Sequence, residues 1–501
     1  MAENTNNGEE TQPGHIIVDI WESWESECSD LIIYKIPRKL RDVNKSAYTP
    51  QLVSIGPYHH GSEKLSEMES LKSKYQKSFL KRFENFENSK KESDWVDFIH
   101  GYYKRLRKSY EGNIPAELEN DGELFVKMIL KDACFILELF LRSINYGEEG
   151  VRRDCILRTP WLRKAIKLDL ILLENQLPFF IVKKIYKLVK NYLPPVVIPK
   201  PKYTTATDPR KSCGCFCLNT SLTCCQVEKS SSKPDQIAAD NQEDGGNDPL
   251  LLLTRFFFEE HYLTETCRRV KVQDIRDIKH FTDLLRKFWL PREFISKKNP
   301  HQDNIADRKY LYSATKLDRA GVTFEPARKG TCLTDVKISK KKIILKFIPI
   351  IKGMRLKLPE LKLENDTESL LRNVMALEQC LYPDEDYICG YVALMDQLIN
   401  TGEDVEFLVD RKILTNLLGS NKEAAKLING LCNQIPREKS YYATYYNELN
   451  TFYENRWNVT RATLKKVYFK DLWTGSSTVV GLFVLLFTVS ATLKNVYFRH
   501  L

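Results

Sequence analysis

The chain has 501 residues, 43% of them hydrophobic and 28% charged, so it can bury a core without cross-links. Its 21 glycines and 21 prolines exclude a collagen-like protein, and its 13 mostly scattered cysteines argue against a secreted disulfide scaffold. The net charge of +10 is modest and suits an anionic membrane surface as well as a nucleic acid. Because no segment has the signature of a nucleic-acid-binding module, we expect no nucleic-acid partner.

Residues 1–28 are predicted to form a disordered N-terminal arm, because they are polar and acidic. A secretory signal needs a basic start followed by an apolar run, and this segment has neither. Ala2 stands where N-myristoylation requires a glycine. The start of the chain therefore predicts neither secretion nor an acyl anchor.

Residues 29–198 form a predicted first block that is mainly helical. Apolar side chains recur every three or four positions over 63–110, which predicts helices there. Residues 123–145 are apolar nearly all round, so this helix should be central. A second apolar helix is predicted over Trp161–Tyr192, with a kink at Pro178.

Residues 199–248 are predicted to be a disordered linker, because proline, serine and glycine replace apolar residues there. The linker also holds the densest cluster of cysteines in the chain. Their spacing is irregular for zinc, so an unmodified insert, reversible lipidation and metal binding all stay open. The five residues are Cys213, Cys215, Cys217, Cys224 and Cys225.

Residues 249–470 form the predicted second block. Alternating apolar residues between prolines predict a small β element around 334–363, and helical patterns return from about Thr367. The expected fold class is thus mainly α, or α+β with that small β element.

A single transmembrane helix is predicted over residues 471–494, followed by a short tail at 495–501. Residues 472–493 carry no charge, and as a helix they would span about 33 Å, enough for a bilayer core. A buried C-terminal helix is the alternative, because the most apolar part covers only 479–489. The expected anchor residues are Trp473, Val479, Leu482, Leu485, Leu486 and Lys494.

Basic residues flank this segment unequally, with Arg461, Lys465, Lys466 and Lys470 before it and Lys494 and Arg499 after it. The positive-inside rule then places the N-terminal body in the cytosol. The prediction is a tail-anchored, single-pass membrane protein, in either the plasma membrane or an endomembrane.

Several motifs occur in one order along the chain. They are Ile36-Pro37, residues 48–61 (YTPQLVSIGPYHHG), 132–138 (DACFILE), 169–178 (DLILLENQLP), 314–324 (ATKLDRAGVTF) and 371–379 (LRNVMALEQ). In these motifs the chain resembles the plant family called "domain of unknown function 247". The resemblance covers about residues 31–501 except the linker.

The resemblance implies a plant protein with one C-terminal membrane span and no known activity. Some grass members of the family lie at self-incompatibility loci, which implies recognition rather than catalysis. The cysteine-rich linker is not a family motif. We therefore expect a membrane-tethered recognition or scaffold protein, in cell–cell recognition or signalling, with an unidentified protein partner.

Acidic residues on otherwise apolar helices are the candidate site. Buried acids need partners, and polar residues on another apolar helix, at 368–380, offer them, so the helices at 123–145, 167–183 and 368–380 should pack together. The predicted structural polar network comprises Asp132, Glu138, Asp169, Glu174, Arg372, Asn373 and Glu378. The alternative is an enzyme that uses Asp132, Asp169 and Glu174 as an acid cluster between the two blocks.

No motif for a nucleophile, a phosphate loop or a metal accompanies these acids, so we expect no catalytic residue and no cofactor. His59 and His60 follow a turn at Gly56-Pro57, and adjacent residues on an extended chain point opposite ways, which disfavours a shared metal. His261 lacks a second histidine four residues away, so it is not part of a zinc-protease helix.

Overall fold

The structure is a computed structural model of the chain. It describes residues 30–84, 91–145, 154–193, 248–262, 277–291, 294, 306–307, 310–328, 331–345, 348–435, 439–468 and 472–499. The predicted arm at 1–28 and the linker cysteines lie outside these residues, as does all of the predicted linker except Asp248.

The part of the first block that the structure describes is helical. Its helices are α1 (Arg38–Val43), α2 (Ser66–Lys81), α3 (Glu92–His100), α4 (Tyr103–Lys108), α5 (Ala116–Asn120), α6 (Gly122–Asn145), α7 (Pro160–Asp169) and α8 (Phe179–Val189). Single 3₁₀ turns occur at Lys45–Tyr48, Glu63–Leu65 and Lys190–Tyr192.

Helix α6 confirms the central helix predicted over 123–145. Its apolar residues from Phe125 to Leu141 are buried, and α2, α3 and α5 pack around it. A helix that is apolar all round has no face to leave in water, so it becomes the axis of the core.

The single helix predicted over Trp161–Tyr192 is wrong, because residues 170–178 are not helical and separate α7 from α8. Gln176 holds this break by donating its side-chain amide to the carbonyls of Leu170 and Leu172, at 2.7 and 2.8 Å. Pro178 also disfavours a helical conformation for the residue before it. Side-chain amides that satisfy backbone carbonyls compete directly with helix formation.

The second block is also mainly helical. Its helices are α9 (Pro249–Tyr262), α10 (Phe281–Trp289), α11 (Ala314–Arg319), α12 (Thr367–Leu381), α13 (Tyr387–Leu398), α14 (Gly402–Asp410), α15 (Asn421–Leu431), α16 (Ala443–Glu454), α17 (Arg456–Tyr468) and α18 (Leu472–Arg499).

Seven short strands in the described residues form three small sheets. The strands are β1 (Ala306–Asp307), β2 (Val322–Pro326), β3 (Lys337–Leu345), β4 (Ile348–Leu358), β5 (Leu361–Leu363), β6 (Leu414–Asn416) and β7 (Lys439–Ser440). In the largest sheet, β4 lies between β2, which is parallel to it, and β3, which is antiparallel. The small β element predicted around 334–363 is therefore confirmed as β3 to β5, whereas β2 was not predicted.

One hydrophobic cluster includes residues from both sides of the predicted linker, such as Phe135 and Leu371. Backbone contacts also join the two sides. The Phe281 amide donates to the Gln176 side-chain oxygen at 2.9 Å, and the Phe179 amide donates to the Lys279 carbonyl at 2.7 Å. The two predicted blocks of sequence thus share one large hydrophobic cluster.

The predicted membrane span at 471–494 is wrong. Within the part of the chain that the structure describes, no helix combines the length and the apolar character that a membrane crossing requires. Helix α18 is long enough, but its continuously apolar part is short and hydroxyl residues lie on both sides of it. The expected anchor residues Trp473, Val479, Leu482, Leu485, Leu486 and Lys494 all lie on this helix.

The predictions that were derived from this membrane span are therefore wrong as well. They are the tail-anchored, single-pass membrane location and the cytosolic orientation of the body, which was derived from the charges beside the span. Helix α18 also continues to Arg499, past the predicted end at 494.

Candidate functional site

Asp132 forms a buried ion pair with Lys72, and both side chains are 1% exposed. The carboxylate lies 2.5 Å from the ammonium and accepts the Gly56 amide at 2.8 Å. The ammonium also donates to Glu69 at 2.6 Å and to the Ser54 carbonyl at 2.7 Å. Burial alone would lower the pKa of Lys72, but the two neighbouring carboxylates outweigh it and raise that pKa. Lys72 therefore stays charged in the interior.

Gly56 is needed at this position for two reasons. Its φ is +72°, which side chains rarely adopt, and a Cβ here would lie 2.5 Å from the Gln176 carbonyl oxygen. The close approach brings the Gly56 amide to Asp132 and holds the 48–61 motif against the 169–178 motif.

Asp169, the last residue of α7, binds the same motif through backbone amides. Its carboxylate accepts the amides of Gln51, Leu52 and Val53 at 2.9, 2.7 and 2.9 Å. Burial raises the pKa of Asp169 to about 6, against the lowering effect of the three amides. The arrangement fixes a loop and leaves the carboxylate largely enclosed.

Glu174 is buried but borders a cavity. One carboxylate oxygen accepts the Ile36 amide at 2.7 Å and also pairs with the Arg41 guanidinium. The other lies 3.6 Å from Nε2 of His59. Burial would raise the pKa of Glu174, but His59, Arg41 and the Ile36 amide lower it below its ordinary value.

Glu138 lies between two guanidinium groups, 2.7 Å from Nε of Arg82 and 2.7 Å from Nε of Arg142. Arg142 also forms an ion pair with Asp154 at 2.9 Å, and the Tyr75 hydroxyl donates to the Asp154 carboxylate at 2.8 Å. Each member of this chain of charges is matched by an opposite charge or a hydrogen-bond donor, which is what burial requires.

Glu378 on α12 pairs with Arg286 on α10 at 2.9 Å, and both side chains are buried. The Ile388 and Cys389 amides at the start of α13 donate to the same carboxylate at 3.1 and 2.8 Å. The Arg286 guanidinium also lies 4.1 Å from the ring centroid of Tyr382. This ion pair joins three helices of the second block.

Arg372 and Asn373 lie on α12 in different surroundings from those predicted. Arg372 pairs with Glu368 at 2.8 Å and donates to the Gly430 carbonyl at 3.0 Å. Asn373 accepts the Leu173 amide at 2.9 Å and donates to the Ala47 carbonyl at 2.8 Å. Asn373 thus reaches the 169–178 motif, as expected.

The predicted pairing between Arg372 and the acids of the first block does not form. Among the residues with described side chains, Arg372 has no ion pair with Asp132, Asp169 or Glu174. The cations that pair with first-block acids instead are Lys72, Arg82, Arg142 and Arg41, and Arg286 pairs with Glu378 of the second block. Asp169 is held by backbone amides. Sequence reasoning missed all five cations. The sequence did contain a signal for Arg142, because it follows Glu138 by four positions on one helix, a spacing at which side chains are neighbours.

A buried histidine lies near the break between α7 and α8. His280 caps α10, and its Nδ1 accepts the Asp283 amide at 3.4 Å. Burial lowers the pKa of His280 to about 4, so the neutral form is strongly favoured.

The other sequence candidates are placed as follows. His59 faces Glu174, as described above. His261 lies on α9, but its side chain is outside the described residues, as are the five linker cysteines. Across the described ranges, no group of three His, Cys, Asp or Glu side chains is arranged to hold a metal ion.

A cavity of about 360 Å³ opens beside Glu174. Its lining comes from the segment before α1, from α1 itself, from the 48–61 and 169–178 motifs, and from the turn before α5. The lining residues are Lys35, Arg41, Tyr58, Asn113, Ile114, Pro115 and Glu174. The cavity therefore forms where several separate stretches of sequence converge.

Two contacts order the cavity wall. The Lys35 ammonium donates to the Asn113 carbonyl at 2.6 Å and lies 5.3 Å from the centroid of the Tyr58 ring. The Tyr58 hydroxyl donates to the carbonyls of Ile33 and Glu111 at 3.1 and 2.9 Å. The ring of Tyr58 is thereby held as one wall.

The chain belongs to a plant family. The profile of the family DUF247, described as "Plant protein of unknown function", matches residues 33–487. The match confirms the family that the motifs indicated, and it assigns no activity.

Two curated relatives come from Arabidopsis thaliana. The UPF0481 protein At3g47200 is 27% identical over 477 residues, which cover 91% of this chain and 84% of the relative. The putative UPF0481 protein At3g02645 is 22% identical over 520 aligned positions, which cover 91% of this chain and 90% of the relative. No solved structure matches the chain.

Proposed function

We propose that this protein is a recognition or scaffold protein that works by presenting a binding surface, and that its buried acids perform no chemistry. The context we propose is cell–cell recognition or signalling with a protein partner, as the family resemblance implies. The observation that carries the proposal is the state of the three acids named for the catalytic alternative.

Each of those acids is already occupied by a structural partner. Asp132 is neutralised by Lys72, Asp169 caps three backbone amides, and Glu174 binds an amide and a guanidinium. A general acid or base must reach a substrate and exchange a proton with it. Carboxylates that fix loops in the interior are poorly placed for that task.

The catalytic alternative keeps one supporting observation. Glu174 lines the cavity, and His59 lies 3.6 Å from it. A histidine beside a carboxylate is a common acid–base pair. Here, however, the Glu174 carboxylate is already paired with Arg41, and the described lining of the cavity has no Ser, Thr or Cys side chain.

Proximity labelling in the native plant tissue tests the proposal. We expect a small set of recurrent neighbours, and at least one of them should bind the purified chain directly. Trp161 and Trp457, 66% and 81% exposed, are first choices for surface variants because exposed tryptophans are enriched at binding hot spots. Loss of binding in Trp161→Ser or Trp457→Ser, with binding retained in Asp132→Asn that is verified to be folded, would support a surface role.

A metabolite experiment tests the catalytic alternative. The purified chain is incubated with a small-molecule extract of the same tissue, and the compounds are followed by mass spectrometry. A compound that wild type consumes, and that folded Glu174→Gln leaves intact, would contradict the proposal and favour the enzyme.

A further inference from the structure

The cavity beside Glu174 offers hydrogen-bond donors that its own residues do not use. The ammonium of Lys35 has three donors, and Asn113 takes one. The closest contact of the Arg41 guanidinium with Glu174 is through Nη2. Among partners with described positions, its Nε and Nη1 groups have no hydrogen bond. Both side chains therefore have donors available to a ligand.

Three acceptors around the cavity, in contrast, already receive a hydrogen bond. One Glu174 oxygen accepts the Ile36 amide and faces Arg41, and the other faces His59. The Asn113 carbonyl accepts from Lys35. The nearby Glu111 carboxylate accepts the Lys35 amide at 2.7 Å and is not part of the lining. A cationic ligand would meet only the Glu174 carboxylate among the described lining side chains, and Arg41 already lies against it.

Part of the remaining wall is apolar. Ile114 and Pro115 line one part, and the Tyr58 ring lines another. The volume of about 360 Å³ is within the range of small-molecule sites, which combine apolar walls with a few oriented polar groups. Two cations against one carboxylate leave the lining with an excess of one positive charge.

We propose that this cavity binds a small organic anion, a carboxylate or phosphate ester with an apolar body, whose acidic group is held by Lys35 and Arg41. The apolar body lies against Tyr58, Ile114 and Pro115. This inference does not depend on the proposed recognition of a protein partner, because it concerns a separate, concave site.

The test measures binding of matched fluorinated probes to the purified full chain by ¹⁹F NMR. The probes are 4-fluorobenzoate, 4-fluorophenyl phosphate and the neutral 4-fluorobenzamide. We expect saturable binding of at least one anion, at least about fivefold tighter than that of the amide, because charge-assisted hydrogen bonds are the strong ones. Comparison of the two anions shows whether a carboxylate or a phosphate is preferred.

The variants separate the site from general surface charge. Lys35→Met should weaken anion binding about fivefold or more, and Lys35→Arg should retain it. Lys39→Met is the matched control, because it removes the same charge from an exposed position that does not line the cavity. Circular dichroism verifies that each variant is folded.

Three results would overturn the inference. The first is that neither anion binds saturably below about 10 mM. The second is that the amide binds as tightly as the anions. The third is that Lys35→Met and Lys39→Met weaken binding equally, which would assign the effect to net charge.

Discussion

Replacing Lys72 with methionine removes the charge that neutralises Asp132. The substitution keeps an unbranched apolar chain of similar length, so little space is left empty. It leaves the Asp132 carboxylate 1% exposed, with the Gly56 amide as its remaining hydrogen-bond donor. Glu69 keeps a weaker ion pair with Lys131 at 3.4 Å.

The expected cost is about 3–5 kcal/mol of unfolding free energy, because one partner of a buried ion pair is left without compensation. Asp132→Asn is the reciprocal change, and its amide oxygen can still accept the Gly56 amide. In the double variant neither charge is left unpaired. Its destabilisation should therefore be smaller than the sum of the two single effects, by about 2 kcal/mol or more.

The assay is urea unfolding at pH 7, followed by far-ultraviolet circular dichroism and by tryptophan fluorescence. Coincident transitions justify a single free energy for each variant. Lys127→Met is the control, because Lys127 is 57% exposed and pairs with Glu123 on the outer side of α6. We expect no measurable change in its unfolding midpoint. Additive single effects, or a loss below about 1 kcal/mol in Lys72→Met, would refute the assigned pairing.

Three further predictions test other contacts. Gly56→Ala should cost more than about 2 kcal/mol, because its Cβ would lie 2.5 Å from the Gln176 carbonyl oxygen at φ +72°; unfolding midpoints measure this. The pKa of His280 falls from 6.5 to about 4 on folding, so the unfolded chain binds more protons between these values. The contribution of His280 to the unfolding free energy should fall by up to about 3 kcal/mol as pH falls from 6.5 to 4, so the stability of wild type relative to His280→Gln should decrease over this range; unfolding of both chains at several pH values tests the sign. Asn373→Ala should cost about 2–3 kcal/mol, because it leaves the buried Leu173 amide without its acceptor; faster hydrogen exchange at Leu173 would report it.

The sequence predicted elements whose signal is local. Helix α6 follows from a long apolar pattern, and β3 to β5 follow from alternation between prolines. The break at 170–178 could not be read in this way, because it depends on where the Gln176 side chain donates. A run of apolar residues is compatible with a helix until such a competing contact is known.

The sequence identified the buried acids of the candidate site, but it did not identify the cations that pair with them. A charge on an apolar helix indicates that a partner exists, since an isolated buried charge is too costly. The pattern does not say which of the chain's 76 Lys and Arg residues supplies it. Asn373 and Ala47, for example, are 326 positions apart and still form a hydrogen bond. Contacts over such distances are set by the whole fold.

Gln176 has a consequence for how the chain assembles. Its side chain joins the turn after α7 to the start of α10, and its carbonyl accepts the Tyr110 hydroxyl at 3.1 Å. One glutamine therefore bridges halves that lie on opposite sides of residues 194–247. A polypeptide cut between these halves should remain a single particle, and two separately synthesised fragments should reconstitute the fold only when mixed.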